Sequence, residues 1–314
     1  MVQARRAGSA PKRNSIWQTL GKQKQLLFMS VPMLAYILLF NYAPLWGWIT
    51  SFMDYKPQRA LFDNPWVGLK NFQWLFSKPE FYQALRNTFA MSSINLVFGT
   101  VSSIFLAVLL NEVRMTSFKR TVQTVTYLPH FLSWVIVVGL AQSMFATDGI
   151  VNQMLQALHI IKAPVFWLGE GKYFWWLVGV INVWKEVGWN SIIYLAAMAA
   201  IDPALYEAAS MDGAGRFRKI LNVTLPGIKS TFVVLLIMSI GHLMEAGFEI
   251  QYLMGQNVLI DWAQTIDIFV LKYGITQGQY ARAIAAGMFK SLVAIALLVA
   301  ANMIAKKLDE DTLI

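Results

Sequence analysis

The sequence predicts an all-α integral membrane protein with about six transmembrane helices. Three observations carry that expectation. Of 314 residues, 57% are apolar and 14% charged, where a soluble chain usually carries roughly 45–50% and about 25%. Six apolar stretches approach or exceed the roughly 20 residues of helix needed to cross a hydrocarbon core. The 12 tryptophans and 11 tyrosines suit a chain with two membrane–water interfaces, where both residue types concentrate.

Taken in order, residues 1–25 form a basic segment with Arg5, Arg6, Lys12, Arg13, Lys22 and Lys24. It reads as an orientation signal rather than a binding site. The first apolar run, Leu26–Phe52, is too long for the apolar part of a cleaved signal and shows no small-residue cleavage site, so it should stay as an anchor. Asn41 and Pro44 within it predict a bend or an early end. Residues 53–86 form a loop with Pro57, Pro65 and Pro79 among aromatics. The second and third spans are expected at Asn87–Leu110 and Thr124–Phe145. Between the third and fourth, Ile150, Val151, Met154, Leu155 and Leu158 fall at helical spacing and predict a short amphipathic helix over 148–160.

The fourth span, Tyr173–Ala200, is the least clean, because Lys185, Glu186 and Asn190 sit within it. Two charges at the helix centre would cost roughly 6 kcal/mol, and about ten apolar neighbours return roughly 3–6 kcal/mol. Such a helix gains by turning its charges toward the bundle interior. The fifth and sixth spans are expected at Ile228–Gly247 and Ala283–Ala305, followed by a tail at 306–314. Residues 26–305 thus read as one six-helix domain.

With the N-terminus inside, the inner segments hold roughly 14 Lys and Arg in about 75 residues, against roughly 9 in about 95 outside. Both termini are therefore expected in the cytoplasm. The net charge of +9 follows from that topology and calls for no nucleic acid. The absence of cysteine excludes disulfides, thiol catalysis and cysteine metal sites. No catalytic residue and no metal site is expected.

The segment from Asp202 to Pro226 carries the most local information. Asp202 is placed as an N-cap, with Pro203 at the first helical position. Tyr206 to Met211 continue the helix, and Gly213 can take the left-handed conformation that ends it. A second short basic helix should run from about Gly215 to Val223, with Pro226 blocking propagation into the fifth span. The small Ala208–Ala209 patch lets another protein approach closely. The expected result is a helix–turn–helix elbow at 201–227 on the cytoplasmic face.

The series Glu207-Ala208-Ala209, Gly213, then nine residues to Val223-Thr224-Leu225-Pro226 resembles the EAA loop of binding-protein-dependent ABC importers, with Val223 in place of the usual Ile. Tyr127-Leu128-Pro129-His130-Phe131 and Trp184-Lys185-Glu186-Val187-Gly188-Trp189 are similar to carbohydrate-importer permeases of the lipoprotein-permease branch, relatives of maltose permease. The resemblance implies the type I ABC importer permease fold in a bacterial inner membrane. It implies a coupling loop in which Glu207, Ala208, Ala209, Asp212, Gly213, Leu225 and Pro226 meet an ATP-hydrolysing subunit. The implied partners are a second, similar permease, two ATPase subunits, an extracytoplasmic solute-binding protein, membrane lipid and a carbohydrate substrate. No phosphate-binding Gly-rich loop of Walker type occurs, so this chain is expected to bind no cofactor, with ATP and Mg held by the partner ATPases.

Polar residues within the spans admit two readings. On the fifth, His242, Glu245 and Glu249 are expected on one helical face, with Ser239 a turn below His242. In the structural reading Lys185, Glu186, Glu249 and Lys290 pair with one another, for example Lys290 with Glu245 or Glu249. In the functional reading Trp189, Asn190, Tyr194, Ser239, His242 and Glu245 line a sugar path, combining an aromatic platform with hydroxyl partners. Lys185 and Lys290 would suit an acidic oligosaccharide such as an alginate or pectin fragment, although Glu186 and Glu245 could neutralise them. The alternative is a stand-alone proton-coupled carrier using Glu245, Glu249 and His242, which leaves the Glu207–Pro226 loop without a purpose.

Overall fold

Residues 24–255 and 259–308 are described by a computed structural model, and among them regular structure is helical apart from one antiparallel bridge, Met53 with Trp66. The basic residues Arg5 to Lys22 and the tail beyond Leu308 lie outside the described residues. The chain divides into two units, 1–49 and 50–314.

The first unit is helical from Lys24. An α-helix over Lys24–Ile37 passes into a π-turn at Leu38–Tyr42 and a 3-10 helix at Ala43–Phe52. The bend or early end expected at Asn41 and Pro44 is thus a change of winding. Pro44 has no N–H to give to the preceding turn, and the Ala43 N–H reaches back five residues to Leu38 O.

Within the second unit, two of the expected spans are single long helices. Pro79–Glu112 is the second span, opened by Pro79 eight residues before the apolar run begins, and Tyr280–Lys307 is the sixth. The third is broken inside its expected run, and the fifth is bent at its start, where the second arm of the elbow joins it. Thr116–Phe131 and Trp134–Met144 meet at 103°, and Arg216–Gly227 and Lys229–Gly241 at 56°. Neither second member could cross alone, since 11 or 13 residues rise only about 16–20 Å against a core of about 30 Å. Counting each bent pair as one span gives six.

The break in the third span has a local cause. Pro129 sits in a 3-10 turn at Leu128–Phe131, and extended Ser133 restarts the helix by accepting the Ile136 N–H on its hydroxyl. The fourth span runs unbroken over Gly171–Ala199 and turns by 69° into the helix Pro203–Met211. The amphipathic helix predicted at 148–160 forms at Ile150–Ala157. Asn152 is buried there, its amide donating to Ala146, Thr147 and Val165 carbonyls and its Oδ1 accepting from Val165 N and Trp167 Nε1.

Packing follows from small residues. The second and fourth spans run parallel, Met91 meeting Val178 near one end and Ala107 meeting Tyr194 and Met198 near the other. A Cβ on Gly179 would lie 2.6 Å from Ile94, so glycine sets their separation. The fifth and sixth spans run antiparallel, with Ile237 packed on Ala301 and Ala305. The segment joining them is pinned to the second span: Asn87 donates to the Asp261 and Gln264 carbonyls, and Thr88 Oγ1 accepts from Ile266 N.

Candidate functional site

At the elbow, Asp202 caps its helix by accepting the Ala204 N–H at 2.9 Å, with Pro203 at the first position. The helix Pro203–Met211 ends at Asp212, and Gly213 turns the chain with φ +74°. Glu207, Ala208, Asp212 and Gly213 are exposed and Ala209 half-buried. Lys219 Nζ donates to Ser210 Oγ at 2.7 Å, and Tyr206 shares a 3.0 Å hydrogen bond with buried Thr224, so the two arms are tied. Met211 and Phe217 stand 89% and 83% exposed, which is unusual for large apolar side chains.

The second arm departs from expectation at its end. It is α-helical over Arg216–Lys219, widens to a π-turn at Ile220–Thr224 and continues through Leu225 and Pro226 to Gly227. Pro226 lies inside the last turn, and the break before the fifth span comes two residues beyond it, at Ile228. The wider turn lets Leu225 N–H reach Ile220 O just before the residue that cannot donate.

Deeper in the bundle, a cavity of about 400 Å³ opens between the second, fourth and fifth spans. Five of the six predicted path residues line it: Asn190, Tyr194, Ser239, His242 and Glu245. Trp189 does not. Its indole stacks on the His130 ring, centroids 4.4 Å apart and planes 2° off parallel, and Phe131 meets it edge-on. Sequence reasoning missed the opposite wall, which is the second span's Ser92, Asn95 and Ser103. Their spacing of three and eleven residues on one helical face was the available signal.

The predicted common face of His242, Glu245 and Glu249 is not formed. The fifth-span helix ends at Gly241, where the His242 N–H turns to the Met238 and Ser239 carbonyls and its Nδ1 lies 2.8 Å from Met238 O. Glu245 follows in a turn, Gly247 takes φ +89°, and Glu249 opens a separate helix, Glu249–Met254. Buried Gln251 holds this reversal by donating its side-chain amide to the Ala246 carbonyl.

The other intramembrane charges are paired. Lys185, 4% exposed, donates to His130 O at 2.6 Å, lies 3.2 Å from Glu186 and sits over the Trp134 ring. Glu186 also approaches His130 Nδ1 at 2.7 Å. Lys290 pairs with Asp267 at 2.6 Å, not with Glu245 or Glu249. Asp267 belongs to a short helix, Ile266–Leu271, whose position depends on the Thr88 anchor. Among the described residues no cluster could hold a metal ion.

A multi-pass helical bundle with a cavity that carries polar side chains and a partly apolar elbow outside it defines a membrane transport component. The family model for binding-protein-dependent transport system inner membrane components matches residues 99–310, and the chain belongs to that family. It is 42% identical to Protein LplB of Bacillus subtilis (strain 168) over 306 residues, covering 97% of this chain and 96% of that one. It is 44% identical over 301 residues to a polygalacturonan/rhamnogalacturonan transport system permease protein of the same organism, YteP, covering 96% and 93%. Among solved structures, a bacterial ABC transporter involved in import of the acidic polysaccharide alginate superposes with a TM-score of 0.84 at 36% identity, covering 93% of this chain and 98% of that one. The same transporter type in complex with an alginate pentasaccharide-bound periplasmic protein gives 0.83 at 35%, with the same coverage. The fold is that of a type I ABC permease, and the chain is a multi-pass inner membrane component.

Proposed function

We propose that this chain is one of two permease subunits of an ATP-driven importer for oligosaccharides or polysaccharide fragments. Relatives that move polygalacturonan, rhamnogalacturonan and alginate support the substrate class. A second, similar permease, two ATPase subunits that bind ATP and Mg, and an extracytoplasmic solute-binding protein complete the transporter. The chain keeps both termini in the cytoplasm and hydrolyses no ATP itself. Residues 26–305 act as one permease domain between the basic segment and the tail.

The elbow is the observation that carries this reading. Residues 201–227 act as the coupling loop, with Glu207, Ala208, Ala209, Asp212, Gly213, Leu225 and Pro226 setting its docking geometry on the ATPase. An ordered, capped turn that leaves Met211 and Phe217 uncovered supports a docked partner. The fourth span feeds into this elbow, and the fifth leaves it. Movement of the elbow is thereby passed to Asn190 and Tyr194 on one wall of the cavity and to Ser239, His242 and Glu245 on another. Those five residues contact the sugar during alternating access. Trp189 joins them when the His130 stack opens. A proton-coupled carrier loses its geometric basis, because His242, Glu245 and Glu249 stand beyond the helix that ends at Gly241 and share no helical face.

The test is co-purification in detergent with the neighbouring permease and ATPase subunits. Wild type should retain the ATPase and the Glu207→Ala, Gly213→Asp double variant should lose it. A wild-type chain that purifies alone and moves solute in vesicles without ATP would overturn the reading.

A further inference from the structure

Four polar residues of the second span line the cavity, Ser92, Asn95, Thr100 and Ser103, and the proposed path leaves them unused. Ser92, Asn95 and Ser103 lie at i, i+3 and i+11, so one face of the helix presents all three. Ser92 is 5% exposed and Ser103 fully buried, and neither hydroxyl has a hydrogen-bond partner; nor does the buried Asn95 Oδ1. This departs from how helical hydroxyls are satisfied elsewhere in the chain. Thr88 and Ser239 fold back at 2.8 Å onto the carbonyls four residues earlier. All three atoms are closed off from solvent in this structure. At membrane depth an unmatched polar atom is unfavourable, so a face of three predicts water or a polar ligand against it once the spans part.

The cavity's charge narrows the ligand. No Lys or Arg lines it, and Lys185 and Lys290 are engaged by Glu186 and Asp267 outside it. Its one lining carboxylate is Glu245, and an anionic group would find no Lys or Arg of this chain to meet it. Hydroxyls, the Asn95 and Asn190 amides and the His242 imidazole remain as the recognition groups, and at about 400 Å³ the space falls within the range of small-ligand sites.

We propose that the second span is a third wall of the sugar path, where Ser92, Asn95 and Ser103 hydrogen-bond substrate hydroxyls. Asn95 Oδ1 accepts from a sugar O–H, and the two serines donate or accept as the ring presents itself. Such contacts read what neutral and acidic saccharides share. A carboxylate on the substrate is therefore recognised elsewhere than on this wall. This rests on the sugar-path reading given above.

The experiment uses the whole transporter in proteoliposomes with ATP inside and neutral and uronic-acid oligosaccharides compared side by side. Uptake is normalised to assembled complex. Ser92→Ala, Asn95→Leu and Ser103→Ala should each raise the KM for both classes about 2–10-fold and by the same factor, the range for one lost hydrogen bond. An unchanged KM overturns the inference, and a loss confined to uronic acids overturns the hydroxyl reading. If wild type takes up neither class with ATP, the importer reading itself falls and this inference with it.

A second measurement covers variants that assemble poorly. The chain has no cysteine, so S92C and S103C each place a single thiol in it. With ATP turning over, so that the spans part and uncover these positions, a hydrophilic thiol reagent should label both, and transported oligosaccharide should slow labelling at least several-fold. Labelling equal with and without sugar, or seen only with a lipid-soluble reagent, overturns the proposal.

Discussion

Gly213 in the elbow and Gly188 in the fourth span are glycines for opposite reasons. Gly213 has φ +74° and open space where a Cβ would stand, so its requirement is written in its own backbone. Gly188 lies within an α-helix, yet a Cβ there would sit 2.0 Å from the Thr126 carbonyl oxygen of the third span. Its requirement is written in a residue 62 positions away. The same contrast runs through both regions: the elbow is built from caps and turns that neighbouring residues dictate, and the interior from partners that only the fold brings together.

The sharpest way to break this comparison is Gly188→Val. Backbone cannot yield as a flexible side chain would, so the variant should lose at least about 3 kcal/mol of stability or fail to assemble. A thermal midpoint in detergent equal to wild type would show that the third and fourth spans are not held as described. Lys185→Met should come next. It leaves Glu186 with half its pairing, a loss of about 3 kcal/mol, discounted because Glu186 is partly exposed. Adding Glu186→Leu should restore much of it, and two equally unstable variants would refute the pairing.

The Lys290 assignment is tested by coupling. A double-mutant cycle of Lys290→Met with Asp267→Asn should give about 1–2 kcal/mol of interaction energy. The same cycle with Glu245→Gln or Glu249→Gln should give none. The smallest stability effects belong to the elbow, where Gly213→Ala should cost about 1–2 kcal/mol from the left-handed backbone and Asp202→Ala about 1 kcal/mol from the lost cap. If either matched Gly188→Val in thermal melts, the elbow would be part of the core rather than a surface device.

Much of the fold was legible because lipid imposes a simple rule on length and polarity. The long helices Pro79–Glu112, Gly171–Ala199 and Tyr280–Lys307 cover the second, fourth and sixth apolar runs. The third was expected as one run although Pro129 with Ser133 is a breaking signal at its bend, and the fifth was expected to reach Gly247 although its helix ends at Gly241. Apolar character continues across those breaks, and a count of apolar residues is blind to direction. The cavity was half legible: the fourth and fifth spans contributed predicted residues, and the Ser92–Asn95–Ser103 wall was passed over because serines in a membrane helix usually bond their own backbone.

By itself the sequence determined that this chain crosses a membrane repeatedly, that it bends at Asp202–Gly213, and that a family motif lies on that bend. Those properties follow from transfer free energy and from backbone geometry, which act over one turn or one span. The tertiary structure alone decided that Lys290 meets Asp267, that Trp189 stacks on His130, and that Glu245 leaves the helix carrying Ser239. A buried charge or ring takes whichever complementary group lies within reach, and reach is set by how whole helices pack.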